Sequence, residues 1–129
     1  MSEVTPLRDG FGRVHRALRV SVTDRCNLRC RYCMPAEGMR WIPREELLRD
    51  DELVRVVRLF ARLGISELRI TGGEPLVRRG LRALIGRMTG IEGIREVAMT
   101  TNGVLLADAI DALVANGLGR VNVSIDSLD

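Results

Sequence analysis

All three cysteines of the chain fall within eight residues, as Cys26, Cys30 and Cys33 in the stretch DRCNLRCRYCM. Thiolates are ligands for zinc and for iron–sulfur clusters. A structural zinc site is normally closed by four protein ligands, commonly delivered as two CxxC-like pairs. Here the spacing is CxxxCxxC with no fourth cysteine, and the single histidine, His15, precedes the first expected strand and so belongs at its other end. A four-iron cubane gripped by three thiolates leaves one iron without a protein ligand, and an outside molecule can coordinate there. That makes the centre a reactive one. An odd, tightly grouped set of thiols is also a poor disulfide framework.

A second group with chemical potential is RITGGEP at residues 69–75. Adjacent glycines commonly mark a turn, and they also let a backbone approach a ligand with no Cβ in the way. Gly73 is the candidate for such a contact, while Glu74 reads as a brace of the loop. The arginines between the cysteines, Arg29 and Arg31, read as supports of that loop or as solvent-facing residues.

These groups need elements to hold them. Residues 17–23, 67–71, 96–100 and 120–126 have the alternation of strands. A helical pattern starts at Glu45, with Leu53, Val56, Val57, Phe60 and Leu63 on its apolar face, Arg55, Arg58 and Arg62 opposite, and Gly64 as terminator. Further helices are expected from GGEP to about Met88 and from Leu105 to Asn116. Strand and helix alternating in this way imply parallel strands joined by right-handed crossovers.

The parity of the strands is informative. Leu18, Val20, Val22, Leu68, Ile70, Val97, Met99, Val121, Val123 and Ile125 form one set, wholly apolar. Arg19, Ser21, Thr23, Arg69, Thr71, Ala98, Thr100, Asn122, Ser124 and Asp126 form the other, almost wholly polar. A parallel sheet covered by helices on both faces should be apolar on both. A sheet curling around a polar lumen, with helices outside and ligand inside, fits this pattern better than a one-sided sheet with a solvated face, the bland alternative. The expected fold is therefore α/β: a partial (βα) barrel of about four parallel strand–helix units. A complete barrel needs roughly 250 residues, so residues 1–129 read as the N-terminal portion of a larger barrel domain.

Composition gives no support to nucleic acid or membrane as partners. The 129 residues carry a formal net charge of +3, and every basic side chain but the histidine is arginine. Aromatic residues are only 3%, too few for the stacking platforms of a single-strand nucleic-acid binder, and 17 acidic residues are interspersed with the arginines. No apolar run approaches a membrane span, and the start lacks a secretory signal pattern, so the cytoplasm is the expected compartment.

With the strand before it and Tyr32 inside it, the CxxxCxxC stretch resembles the cluster motif of radical S-adenosylmethionine (SAM) enzymes. The resemblance implies a 4Fe–4S cluster on Cys26, Cys30 and Cys33, whose open iron binds the amino and carboxylate groups of SAM. It places Tyr32 beside the adenine, Gly73 at the methionine end and the Ser124 hydroxyl on SAM, with no catalytic side chains beyond the cluster ligands. Its chemistry begins when the reduced cluster breaks SAM to methionine and a 5′-deoxyadenosyl radical, which takes a hydrogen atom from substrate. An electron donor is implied as partner.

Over residues 7–129 the likeness is finer. FGRVHRALRVSVTDRCNLRCRYCMPAEGM, and TTNG further on, are similar to the GTP 3′,8-cyclases of molybdenum cofactor biosynthesis. In that family, hydrogen is removed from C3′ of the GTP ribose and the carbon radical attacks C8 of guanine. The resemblance implies GTP as substrate, with Arg19, Arg69 and Thr100 in contact with it, and a homodimer. Guanidinium forks suit a triphosphate because they stay charged and bind oxygens bidentately. The bland alternatives are an ion pair of Arg19 or Arg69 with a carboxylate such as Asp126, and a helix-capping role for Thr100. The family also carries a C-terminal region with a second three-cysteine cluster and a glycine-ending tail, neither of them within residues 1–129, so residues 1–129 alone are expected to lack cyclase activity. Competing readings are another radical SAM activity such as peptide modification, a zinc-binding interaction module, and an inert remnant.

Overall fold

The alternating residues of ALRVS, ELRIT, EVAMTT and RVNV do form strands. A computed structural model describes residues 7–25 and 48–124, and in it these stretches are β3 (Ala17–Ser21), β4 (Glu67–Thr71), β5 (Glu96–Thr101) and β6 (Arg120–Val123). They make one four-stranded sheet in the order β3-β4-β5-β6, parallel throughout. Between them run α1 (Asp50–Arg62), α2 (Leu81–Thr89) and α3 (Leu106–Ala115). Sequential order with right-handed crossovers sends every helix to the same face, which is the local rule of a (βα) barrel rather than of a doubly wound sheet.

Burial agrees with the parity of the sequence. Val20, Leu68, Ile70, Val97 and Met99 lie under the helices in one core with Leu53, Val54, Val57, Leu84, Ile85, Met88 and Leu113. On the opposite face Arg19, Ser21, Arg69, Asn122 and Ser124 are exposed, and no described helix covers them. Ala98, flanked in register by Arg69 and Arg120, is the one buried member of that polar set within the strands.

The helices depart from the sequence reading in instructive ways. On α1 the buried stripe is Leu53, Val54, Val57 and Ala61, while Val56 is 37% exposed. Leu53 and Val57 of the expected face stay buried, and the buried stripe is shifted from Val56 toward Val54 and Ala61. The helix does not run on from Glu45 as its pattern suggested: Arg49 is extended (φ −77°, ψ 164°) and caps a helix that begins at Asp50. At its far end Gly64 takes φ +99°, the left-handed conformation that ends helices, as expected. The Arg49 amide donates to Glu52 Oε1 at 3.0 Å across the first turn. That bond and the Arg49 side chain hold the Glu52 carboxyl below its ordinary pKa.

The helix expected directly after GGEP is interrupted. Pro75–Val77 form a single 3₁₀ turn, Arg78 turns extended (φ −72°, ψ 125°), and α2 begins only after Gly80. An antiparallel hairpin of β1 (Leu7–Arg8) and β2 (Val14–His15) precedes the sheet and was not anticipated. Asp9 organises it, accepting the amides of Phe11 at 2.8 Å and Arg13 at 3.0 Å and the Arg13 Nε at 2.6 Å. Desolvation pushes the Asp9 carboxyl upward, but these bonds and His15 hold it below the usual range. His15 stands at the N-terminal end of the sheet, away from the strand ends that lead to the cysteines, as the sequence implied.

Candidate ligand and metal site

Beyond Ser21 the chain keeps pairing with the segment after β4, but the register slips. Val22 N–H donates to Thr71 O at 3.0 Å. Regular parallel pairing would next bring the Gly73 N–H to the Val22 carbonyl. Instead Gly73 donates to Thr23 O at 2.8 Å and Glu74 to Arg25 O at 2.7 Å. The residues immediately before Cys26 are thus pinned, amide by amide, to the glycine loop.

The glycines make that closeness possible. Gly72 has φ +145°, which side-chain-bearing residues avoid. A Cβ on Gly73 would overlap Arg25 O and stand 2.7 Å from its carbonyl carbon and 2.8 Å from Asp24 O. The tight approach in this structure is backbone on backbone.

Glu74 is 1% exposed and braces two loops at once. Its carboxyl group accepts the Thr101 hydroxyl at 2.7 and 2.8 Å, the Asn102 amide at 2.7 Å and the Leu76 amide at 3.1 Å. The loop after β4 is so joined to Thr101 at the end of β5 and to Asn102 just after it, the bracing role expected of Glu74. Glu74→Ala should strip acceptors from three donors, each worth about 1–3 kcal/mol when left buried and unpaired, and lower stability by about 2–5 kcal/mol. Glu74→Gln, which retains one acceptor oxygen, should lose less. Urea midpoints of the two variants check this ordering, and equal losses would contradict it.

The candidate substrate residues sit on the helix-free face. Arg19 and Arg69 are paired in register on β3 and β4. Both are exposed, and neither has an ion-pair partner among the described residues. Like charges directly opposite repel, so the pair is a standing invitation to an anion. The proposed carboxylate partner Asp126 lies outside the described residues. Thr100 is half-buried on the same face within β5 and is paired with Asn122. It caps no helix, since α3 is preceded by Leu105. Ser124 follows β6, exposed, its amide donating to Thr101 O at 2.9 Å.

Cys26, Cys30, Cys33 and Tyr32, with Arg29 and Arg31, lie outside the described residues. Among the described residues no cluster of His, Cys, Asp or Glu could hold a metal ion, and no helix is long and apolar enough to cross a membrane. The donor set nonetheless fits an iron–sulfur cluster. Three thiols follow directly on a backbone, Thr23–Arg25, that is fixed at the carboxyl edge of the sheet, the edge where (βα) barrels bind ligands.

One further residue at this edge carries no sign of its role in the sequence. Arg78 Nη1 donates to Val22 O at 2.6 Å, and its Nη2 donates to Leu48 O at 3.1 Å and Asp50 Oδ1 at 2.7 Å. In the sequence it is one arginine among twenty, on what looks like a helix.

The profile of the radical SAM superfamily matches residues 20–129. The chain is 55% identical, over 130 aligned positions and its whole length, to a protein called GTP 3′,8-cyclase in Mycobacterium sp. (strain KMS), covering 37% of that relative. It is 53% identical over 122 positions, 95% of its length, to a GTP 3′,8-cyclase of Pelotomaculum thermopropionicum, covering 38% of that protein. The chain therefore spans little more than a third of these curated relatives. Among solved structures BtrN, in an open conformation, superposes with a TM-score of 0.63 at 22% identity, over 86% of this chain and 50% of BtrN. That similarity is one of fold.

Proposed function

Because the chain belongs to the radical SAM superfamily, we propose that it is the part of a GTP 3′,8-cyclase that holds the cluster, SAM and the phosphates of GTP. The observation that carries the substrate reading is the in-register Arg19–Arg69 pair, unpartnered among the described residues, on the face that a barrel turns inward.

Cys26, Cys30 and Cys33 would hold a 4Fe–4S cluster, with Tyr32 against the adenine of SAM and Ser124 donating its hydroxyl. When bound and reduced, the cluster and SAM supply the carbon radical that takes hydrogen from substrate. Gly73 has already given its N–H to Thr23, so what it offers SAM is a carbonyl oxygen, an acceptor suited to the methionine ammonium group. Arg19 and Arg69 would clamp the triphosphate, and Thr100 would contact the same nucleotide. The whole protein, on this reading, works in the cytoplasm as a homodimer with an external electron donor.

The test uses the full-length protein, reconstituted without air with iron and sulfide and given reductant, SAM and GTP. Deoxyadenosine and a cyclised dihydro-GTP should form together, and only when GTP is present. Deoxyadenosine formed only with an added peptide would overturn the cyclase reading. Arg19→Ala and Arg69→Ala should each raise the KM for GTP by about 10–100-fold, the loss of one charge-assisted contact of about 1.5–3 kcal/mol.

A further inference from the structure

We propose that Arg78 is a positioning residue for the iron–sulfur cluster: its guanidinium ties the end of β3 to the start of α1 and so fixes the span that the cysteine-bearing residues 26–47 must bridge. The inference rests on the radical SAM reading and adds to it a residue which that reading does not require.

The slip in pairing at the end of β3 creates the need. With Gly73 bonded to Thr23, the Val22 carbonyl loses its regular partner. Arg78 comes from 56 residues along the chain to take it, at 2.6 Å. The same guanidinium holds the Leu48 carbonyl and the Asp50 carboxylate. Val22 lies four residues before Cys26, and Leu48 is the first described residue after the cysteine segment. One planar fork therefore fastens both ends.

The side chain is built into this place. It is only 13% exposed, and the backbone at Arg78 is extended rather than helical, so that α2 starts later than its sequence suggests. Asp50 is the first residue of α1, where a carboxylate is also favoured by the helix dipole. Lysine could not reproduce the arrangement. It offers a single nitrogen as donor, where the carbonyls of Val22 and Leu48 are met by two nitrogens held rigidly apart.

Residues that orient a metal's ligands without touching the metal typically change its retention 10–100-fold. The test compares Arg78→Met, Arg78→Lys and the milder Asp50→Asn in the full-length protein. Two quantities are read: the rate at which a chelator strips iron from the anaerobic cluster, and amide hydrogen exchange at residues 23–25 and 49–50 in cluster-free protein. Arg78→Met should release iron about 10-fold faster or more, with Arg78→Lys and Asp50→Asn intermediate, and each variant should exchange faster at both ends of the segment. Unchanged exchange at both ends would overturn the clamp even if iron retention falls. Faster exchange with unchanged iron release would show a clamp that does not serve the cluster, and would overturn the proposal. Wild-type protein that takes up no iron would sink the underlying reading as well, and the exchange arm separates that failure from the failure of the clamp. If Arg78→Met does not fold, the Lys and Asn variants carry both measurements.

Discussion

Gly73→Ala should destabilise the protein by about 2–6 kcal/mol, although the position is exposed and its backbone has no unusual φ. Alanine is ordinarily tolerated or even stabilising where the backbone permits it. Here the added methyl would meet the carbonyls of Asp24 and Arg25, and backbone atoms cannot rotate out of its way. The strands would have to part, with loss of the bonds from Gly73 N to Thr23 O and from Glu74 N to Arg25 O. Each is worth about 0.5–1.5 kcal/mol net, and the strain of overpacking adds about 1–3 kcal/mol. Against a typical total of about 5–15 kcal/mol that is a large fraction. Gly10→Ala is the matched control: nothing lies within 4 Å of a Cβ there and φ is not positive. Urea denaturation should show Gly10→Ala near wild type and Gly73→Ala far below it. Two equal midpoints would refute the steric account of the double glycine.

The structural reason for Gly73 bears on how the loop meets a ligand. The glycine pair reads in sequence as a place for a ligand to approach, whereas its first use is to let two stretches of the protein's own backbone meet. The two uses are compatible, because the N–H faces Thr23 and the carbonyl is a separate group. An alanine there would therefore disturb cofactor binding indirectly, through the Thr23–Arg25 segment, before touching any ligand.

What the sequence made legible follows from periodicity. A strand shows its two faces at every second residue, so the apolar set through Leu68, Ile70, Val97 and Met99 and the polar set through Arg19 and Arg69 could be separated before any fold was known. Helix faces are less secure. α1 carries apolar residues at Val54, Val56, Val57 and Leu59 over more than half a turn, and only packing against the sheet selects Val54 over Val56. The β1–β2 hairpin has strands of two residues each, too short to display alternation, and its one local sign is the Asp9–Gly10 turn. Least legible were contacts between distant positions. Glu74 meets Thr101 across 27 residues and Arg78 meets Val22 across 56, and the second fills the acceptor left by a register slip after β3 that no local pattern announces.

Replacing any one of Cys26, Cys30 or Cys33 by alanine should reduce iron bound at this site to a small fraction of wild type, at least about 10-fold lower, and abolish SAM cleavage. Residues 1–129 hold no other thiol, so no cysteine within this span can replace a lost ligand. His15 cannot substitute, since it sits in β2 at the other end of the sheet with its Nε2 3.3 Å from Asp9 Oδ2. Alanine is the proper choice because a serine oxygen can itself bind iron. Stability should respond differently from that of Gly73→Ala. The described core runs through β3 to β6 and three helices without any cysteine, so the cluster-free variants should keep wild-type apo-protein midpoints while losing iron. This separates a radical SAM centre from a structural zinc site, in which metal and fold are lost together. Protein that retains zinc and not iron when prepared without air, and that unfolds when one thiol is removed, would overturn the assignment.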